Sequence, residues 1–317
     1  MKNTFRITKK KQMDFQVIVT TMCSLFLMVI AGFFSHKRGI INEEFERVLS
    51  KFVIKVTCPA LIISSTMGDK MPDREYIPML LLVSLLTYFI LIPLAYIQPV
   101  LMRVRRDLRG MYSFMLTYSN VGFIGYPVVA SIFGSDAVFY ACILNIFNTI
   151  TVFIWGVMFI SGENLKDGFR FRLFVSPAMI ATYISVVIVL LDFHAPKELS
   201  MPLSILGNMT VPSSLIVIGA AWAEIPPRKI VGTPHIFIMC ILKLLVLPLL
   251  VYYAMILIGV DTRISSINMI LIAMPVASFG TMFCMQMGKD ETTMSQGTFW
   301  TTLLSVVSIP LLAMLIA

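Results

Sequence analysis

Asn120, Gly122, Gly125 and Pro127 stand close together inside an otherwise apolar run, Thr117–Gly134, which reads TYSNVGFIGYPVVASIFG. In a helix interior glycine costs about 1 kcal/mol relative to alanine and proline about 3. A continuous helix is therefore disfavoured here, and two half-helices joined by an extended stretch are expected. The N-terminus of the second half-helix would present unpaired N–H groups and a partial positive charge, which suit an anion. Asn120 would add a donor and an acceptor. The plainer reading is a glycine-lined packing seam with a proline kink, common in membrane helices. A second run, IAMPVASFGTMFCMQMG, repeats the feature: Pro275 and Gly280 bracket Val276-Ala277-Ser278-Phe279. Ser278, Thr281 and Gln286 are its polar candidates. If both helices divide at the same depth, four half-helix ends converge, suiting a carboxylate on one side and a cation or polar tail on the other.

Ionisable and polar groups narrow the chemistry. Lys243 lies in PHIFIMCILKLLVLPLL, about nine residues or 13 Å into an apolar run. An intramembrane lysine is costly and marks function by default. Facing inward, it could neutralise an anionic substrate or take the place of a coupling cation; otherwise it snorkels to the interface. Lys51 and Lys55 lie nearer an end and are read as snorkelling. No Asp or Glu falls near the centre of an apolar run, since Asp14, Asp136, Asp192 and Glu224 lie at ends. A carboxylate proton relay is therefore disfavoured, and a coupling cation would need neutral oxygens. Asn145, Asn148 and Thr149 share one helix face, and Thr298, Thr301, Thr302, Ser305 and Ser308 form a comparable stripe. Such residues commonly provide interhelical hydrogen bonds, so Asn145 and Asn148 rank second as site candidates. The three histidines, His36, His194 and His235, lie at loops or run ends, none paired as a catalytic base would be, and neither His-Glu-x-x-His nor Gly-x-Ser-x-Gly occurs; no enzyme activity is expected. The cysteines (Cys23, Cys58, Cys142, Cys240, Cys284) are scattered in apolar runs as small hydrophobes, predicting no disulfide, metal or cofactor.

The elements that must position these residues follow from composition. Of 317 residues 58% are hydrophobic and only 13% charged, with a net charge of +8 and a mean hydropathy of +0.87. A soluble core cannot absorb that much apolar surface, so the chain is an all-α, polytopic membrane protein. The basic residues sit in short clusters, which argues against a nucleic-acid partner. Segments of about 20 apolar residues number about ten. They run Asp14–Phe34, Phe45–Met67, Ile77–Gln98, Gly110–Phe133 and Ala137–Ser161, then Leu173–Leu191, Met201–Trp222, Pro234–Ile258, Ile267–Met287 and Thr292–Ala317.

A duplication is written into the spacing. TCPALIIS at Thr57 and TVPSSLIVI at Thr210 carry the same Thr-x-Pro motif about 153 positions apart, matched breaks of the kind that frame a transporter's site. Pro93 and Pro248, and Gly134-Ser-Asp136 and Gly288-Lys-Asp290, keep nearly the same offset. Five spans per half make the repeats inverted: residues 13–161 and 173–317, joined by a linker at 162–172 and preceded by a basic tail at 1–12. Thr57 and Thr210 rank third as candidates, beside the motif and read as caps for freed carbonyls. Loops after odd spans hold Lys37, Arg38, Arg47, Arg103, Arg105, Arg106, Arg109, Lys166, Arg170, Arg172, Arg228, Lys229 and Lys289; the other face holds Lys70, Arg74, Lys197 and Arg263. That bias puts both termini outside, although the basic tail alone argues the opposite. A start at Met13 would remove the conflict.

SNVGFIGYP followed by GSD, PALI, PSSLIVIGA, KLLVLP and MPVASF occur in order along the chain. Together they resemble the auxin efflux carrier family, which includes bacterial permeases for malate and related dicarboxylates. The resemblance runs from about Met13 to the C-terminus. It implies two inverted five-helix repeats with broken, crossed fourth and ninth helices. The long central loop of the plant members is missing, so auxin is not implied as substrate. The expected function is secondary active transport of small organic anions across the cell membrane by alternating access. A coupling ion (sodium or proton) and a homodimeric assembly are left open. The alternatives are a sodium-coupled symporter of larger amphipathic anions and a non-transporting membrane sensor.

Overall fold

The computed structural model describes residues 15–67, 73–162, 177–224, 231–277, 279–289 and 292–316. Helix accounts for nearly all of them, and their one strand-like feature is an isolated antiparallel bridge between Ser119 and Val276. Hydrocarbon offers no partner to backbone N–H and C=O groups, so a chain this apolar must satisfy them internally, and helices do so locally.

Among the described residues four helices are long and apolar enough to cross a membrane: Arg74–Leu101, Lys197–Glu224, Pro234–Leu257 and Thr292–Ile316. Ala137–Thr151 and Ile154–Ser161, bent by 42°, make a fifth if counted as one span. The other predicted segments are occupied by Phe15–Lys37, Pro177–Leu190, a helix widened at one turn (Glu43–Phe52 continuing to Cys58–Ser64), and two helices divided in the middle. Long helices expose Leu82, Phe89, Ile97 and Leu101, or Leu250, Tyr253 and Leu257, on the sides away from the bundle. Apolar residues on every side are what a lipid-facing helix needs.

The two Thr-x-Pro segments were expected to interrupt their helices, and the structure corrects this. At Thr57 the helix stays wound but widens by one residue, a π-turn over Val53–Thr57 in which the Cys58 N–H bonds Val53 O. At Thr210 a boundary at Met209 separates Lys197–Asn208 from Thr210–Glu224 within one membrane-length run. Two more π-turns precede prolines in the same register. Tyr126 N–H bonds Val121 O ahead of Pro127, and Leu247 N–H bonds Leu242 O ahead of Pro248. Proline lacks the N–H for the carbonyl four residues back and its ring collides with that carbonyl. Widening the preceding turn by one residue moves the carbonyl aside and keeps the helix running.

Packing joins Phe15–Lys37 to Thr210–Glu224 along much of their length, and Cys58–Ser64 to both Pro177–Leu190 and Lys197–Asn208. The first pair closes backbone on backbone. A Cβ on Gly219 would lie 1.9 Å from Val29 O, and one on Gly32 would lie 2.2 Å from Ile216 O. Glycine is required at both for helices to approach this closely. Around the divided helices gather Ile77–Leu101, Ala137–Leu144, Leu247–Leu257 and Thr292–Ile316.

Candidate functional site

The helix Arg109–Thr117 ends at Tyr118, which is extended (φ −102°, ψ 125°), and helical winding resumes at Val121. The helix Thr262–Ile272 ends before Pro275, and winding resumes at Phe279. The two interruptions are bonded to each other. Asn120 N–H donates to Pro275 O at 2.7 Å and Ala277 N–H to Tyr118 O at 3.1 Å. Each interruption frees backbone groups that helix would have used, and the partners of several can be traced.

Leu116 O, near the C-terminus of one half-helix, accepts from Lys243 Nζ at 3.1 Å. Ile272 O, at the C-terminus of the other, accepts from Ser119 Oγ at 3.1 Å. Lys243 Nζ also donates to Ser119 Oγ at 2.7 Å. Lys243 is fully buried, on the widened turn ahead of Pro248, and so points inward to the crossing rather than snorkelling. Val276 N–H donates to Thr301 Oγ1 at 3.1 Å, and that hydroxyl in turn donates a hydrogen bond to Gly297 O at 2.7 Å. At the start of the resumed helix, Asn120 Oδ1 accepts from Phe123 N–H at 3.3 Å, an N-cap in the middle of a span.

The predicted residues divide by surroundings. Asn120, Pro275 and Lys243 meet at the crossing. Gly122, in the first turn of the resumed helix, is exposed, and a Cβ there would meet nothing within 4 Å. Gly125 packs against Val121 and Leu271, and Gly280 lies so close to Met294 and Phe114 that a Cβ would come within 2.6 Å of each. Pro127 is buried at the head of Tyr126–Phe133. Thr281 is half-buried on Phe279–Gln286, and Ser278 lies outside the described residues. Asn145 and Asn148 stand to one side, in a chain of hydrogen bonds. Asn145 Nδ2 donates to Tyr126 Oη at 3.0 Å, Asn148 Nδ2 to Asn145 Oδ1 at 2.8 Å, and Tyr88 Oη to Asn148 Oδ1 at 2.7 Å. The Tyr88 ring stacks on that of Tyr118, centroids 6.4 Å apart, which ties this chain to the interruption. Sequence reasoning missed Tyr118 and Ser119, although both lie inside the quoted motif. It also grouped Thr301 with its neighbours, and nothing in the residue types sets it apart.

Beside the resumed helix lies a cavity of about 50 Å³. Ile124 and Val128 form one wall, Leu215, Ile218 and Trp222 another, and Thr302 and Ser305 supply its hydroxyls. Ligand sites for organic molecules are about 300 Å³ or more, so in this conformation the space admits little beyond water.

An all-helical membrane protein whose two interrupted helices are hydrogen-bonded to each other at a buried bridge, with a buried lysine on the carbonyl end of one, has the build of a membrane transporter. The family described as "Membrane transport protein" matches residues 17–168 and 164–313, and the chain belongs to it, the auxin efflux carrier family of the sequence resemblance. An uncharacterized transporter of Methanothermobacter thermautotrophicus is 26% identical over 309 residues, 94% of this chain and 98% of the relative. An uncharacterized transporter of Methanocaldococcus jannaschii is 25% identical over 207 residues, 62% of this chain and 66% of the relative.

Proposed function

We propose that the chain is a secondary active transporter of small organic anions such as malate-like carboxylates, working by alternating access at the crossing. The observation that carries this is the uneven accounting of helix ends. The traced carbonyls at the C-terminal ends are met by Lys243 and Ser119, whereas the resumed helix opens to free space at Gly122. Each helix end carries roughly half an elementary charge. With the traced negative ends met by donors and the positive end at Gly122 facing space, the crossing would present positive potential there, which favours a carboxylate. Asn120, Gly122, Thr281 and Ser278 would line the anion's place, Gly125, Pro127, Pro275 and Gly280 would shape it, and Lys243 would set its potential. Asn145 and Asn148 would hold the frame through Tyr126 and Tyr88.

In this reading ten spans form two inverted five-helix repeats, 13–161 and 173–317, in the cell membrane with both termini outside. The two matched segments of the family, which divide the chain near the predicted linker, support two halves. The pair Phe15–Lys37 and Thr210–Glu224 walls the small cavity and would rock against the crossing bundle to enlarge it. Flux of labelled malate and succinate into proteoliposomes tests the proposal. Saturable uptake, reduced by Asn120→Ala, is expected; absence of flux for any C3–C5 carboxylate would refute it. A second reading, a carrier of larger amphipathic anions, is favoured by the apolar cavity wall at Leu215, Ile218 and Trp222. Competition by such anions but not by malate would select it.

A further inference from the structure

We propose that Lys243 is the protein's resident cation: its ammonium fills, through a covalent tether, the position in which the carbonyl ends of two interrupted helices would otherwise collect a monovalent coupling cation. Unwound carbonyls and half-helix C-termini are the usual ligands of a coupling sodium ion in carriers built on discontinuous helices. Here one C-terminal end meets the ammonium directly and the other through the Ser119 hydroxyl. It donates to Leu116 O at 3.1 Å and Ser119 Oγ at 2.7 Å, and Ser119 donates in turn to Ile272 O at 3.1 Å. Two helix ends of about half a negative charge each sum to about one, the charge a single ammonium balances. Lys243 is fully buried, and among the described residues no carboxylate forms an ion pair with it. One helix-end carbonyl and a neutral hydroxyl are therefore the partners that offset its burial.

The donor set is one that an alkali cation would accept: a carbonyl oxygen, Leu116 O, and a hydroxyl, Ser119 Oγ, both hard ligands, with Ile272 O behind that hydroxyl. Truncating the side chain at Cβ leaves those oxygens and their negative potential around a space vacated by an ammonium. The wild-type carrier has this place filled at all times and needs no sodium to compensate the crossing. The truncated protein does need it. The binding half of the inference stands on the geometry alone; its consequence for flux rests on the transporter reading above.

The test compares wild type, Lys243→Ala and Lys243→Met in sodium, potassium, methylammonium and choline chlorides at equal ionic strength. Apparent stability is read by thermal shift and anion flux by proteoliposome uptake. A ligand of the native state raises apparent stability by mass action. Wild type is expected to show the same midpoint in all four salts and sodium-independent flux. Lys243→Ala is expected to be less stable in choline and to gain a saturable rise in midpoint with sodium or methylammonium. Lys243→Met, which keeps the bulk without the charge, is expected to gain none. A saturable sodium response in wild type would overturn the inference, as would a Lys243→Ala midpoint identical in sodium and choline. If Lys243→Ala is aggregated in choline, recovery of monodisperse protein in sodium counts as the expected result, and failure in every salt overturns it. Absence of wild-type flux with the stability results intact would remove the transporter reading and leave the cation site standing.

Discussion

Thr301→Val should loosen the crossing while Thr298→Val should not, although both remove a threonine hydroxyl from the same helix within one turn. Thr301 Oγ1 accepts the Val276 N–H at 3.1 Å and is fully buried. The substitution keeps shape and volume but leaves a buried donor without its acceptor, a loss of about 1–3 kcal/mol. Thr298 Oγ1 is buried without a hydrogen-bond partner among the described residues, so replacing it by a methyl group should be neutral or slightly stabilising. The loss at Val276 is local to the bridge, whose amides, Asn120 N–H and Ala277 N–H, lie on either side of it in space. If those amides exchange by local opening, their hydrogen exchange should accelerate by a factor of roughly 5 to 150, the same free energy expressed as a population. Exchange followed by mass spectrometry on peptides spanning 117–121 and 274–277, in nanodiscs, reads this directly, with Thr301→Ser as the variant that should retain protection. Equal exchange in Thr301→Val and Thr298→Val would refute the assignment of Thr301 as the anchor of the crossing.

Gly122→Ala should leave thermal stability within about 0.5 kcal/mol of wild type, because open space surrounds the added Cβ, yet should slow anion uptake by narrowing the approach to the resumed helix; unchanged uptake would count against that approach. Gly219→Leu places its Cβ 1.9 Å from Val29 O and must force Phe15–Lys37 away from Thr210–Glu224, so a loss above about 3 kcal/mol, or no folded protein, is expected in a detergent-denaturation titration. Asp136→Asn breaks the 2.7 Å pair with Arg263. Both partners are more than a third exposed, so the loss should stay under about 1 kcal/mol and vanish in high salt; a larger, salt-insensitive loss would contradict a surface role.

The helical segments and the position of the two interruptions were legible because each depends on residue type alone. Apolar length marks helices, and the clusters Gly122-Gly125-Pro127 and Pro275-Gly280 mark where helix is expensive. What those residues do was less legible. Gly122 and Gly280 look alike in sequence, yet one opens to space and the other is pressed against Phe114 and Met294. The direction of Lys243 was undecidable, since its depth permits a reach to the interface or to the centre, and only the neighbouring helix ends distinguish them. Ser119 acquires its role from a lysine 124 positions away, a pairing with no local signature. The Thr-x-Pro pair pointed to a real disturbance of the helix but misstated its kind, because a one-residue widening and a full interruption both follow from the same missing N–H.

The widened turns act as angular spacers. In an α-helix each residue adds about 100° of rotation and 1.5 Å of rise, so one inserted residue turns everything before it relative to everything after. At Leu242–Val246 the insertion sets the bearing of Lys243 relative to the helix Leu247–Leu257. Pro248 holds it there, since closing the turn to α geometry would drive the proline ring into a carbonyl. Val152–Gly156 is widened too, but no proline follows it. That turn lacks the steric lock that a proline ring gives the other three. Among the described residues, three widened turns are thus locked by a following proline and one is not.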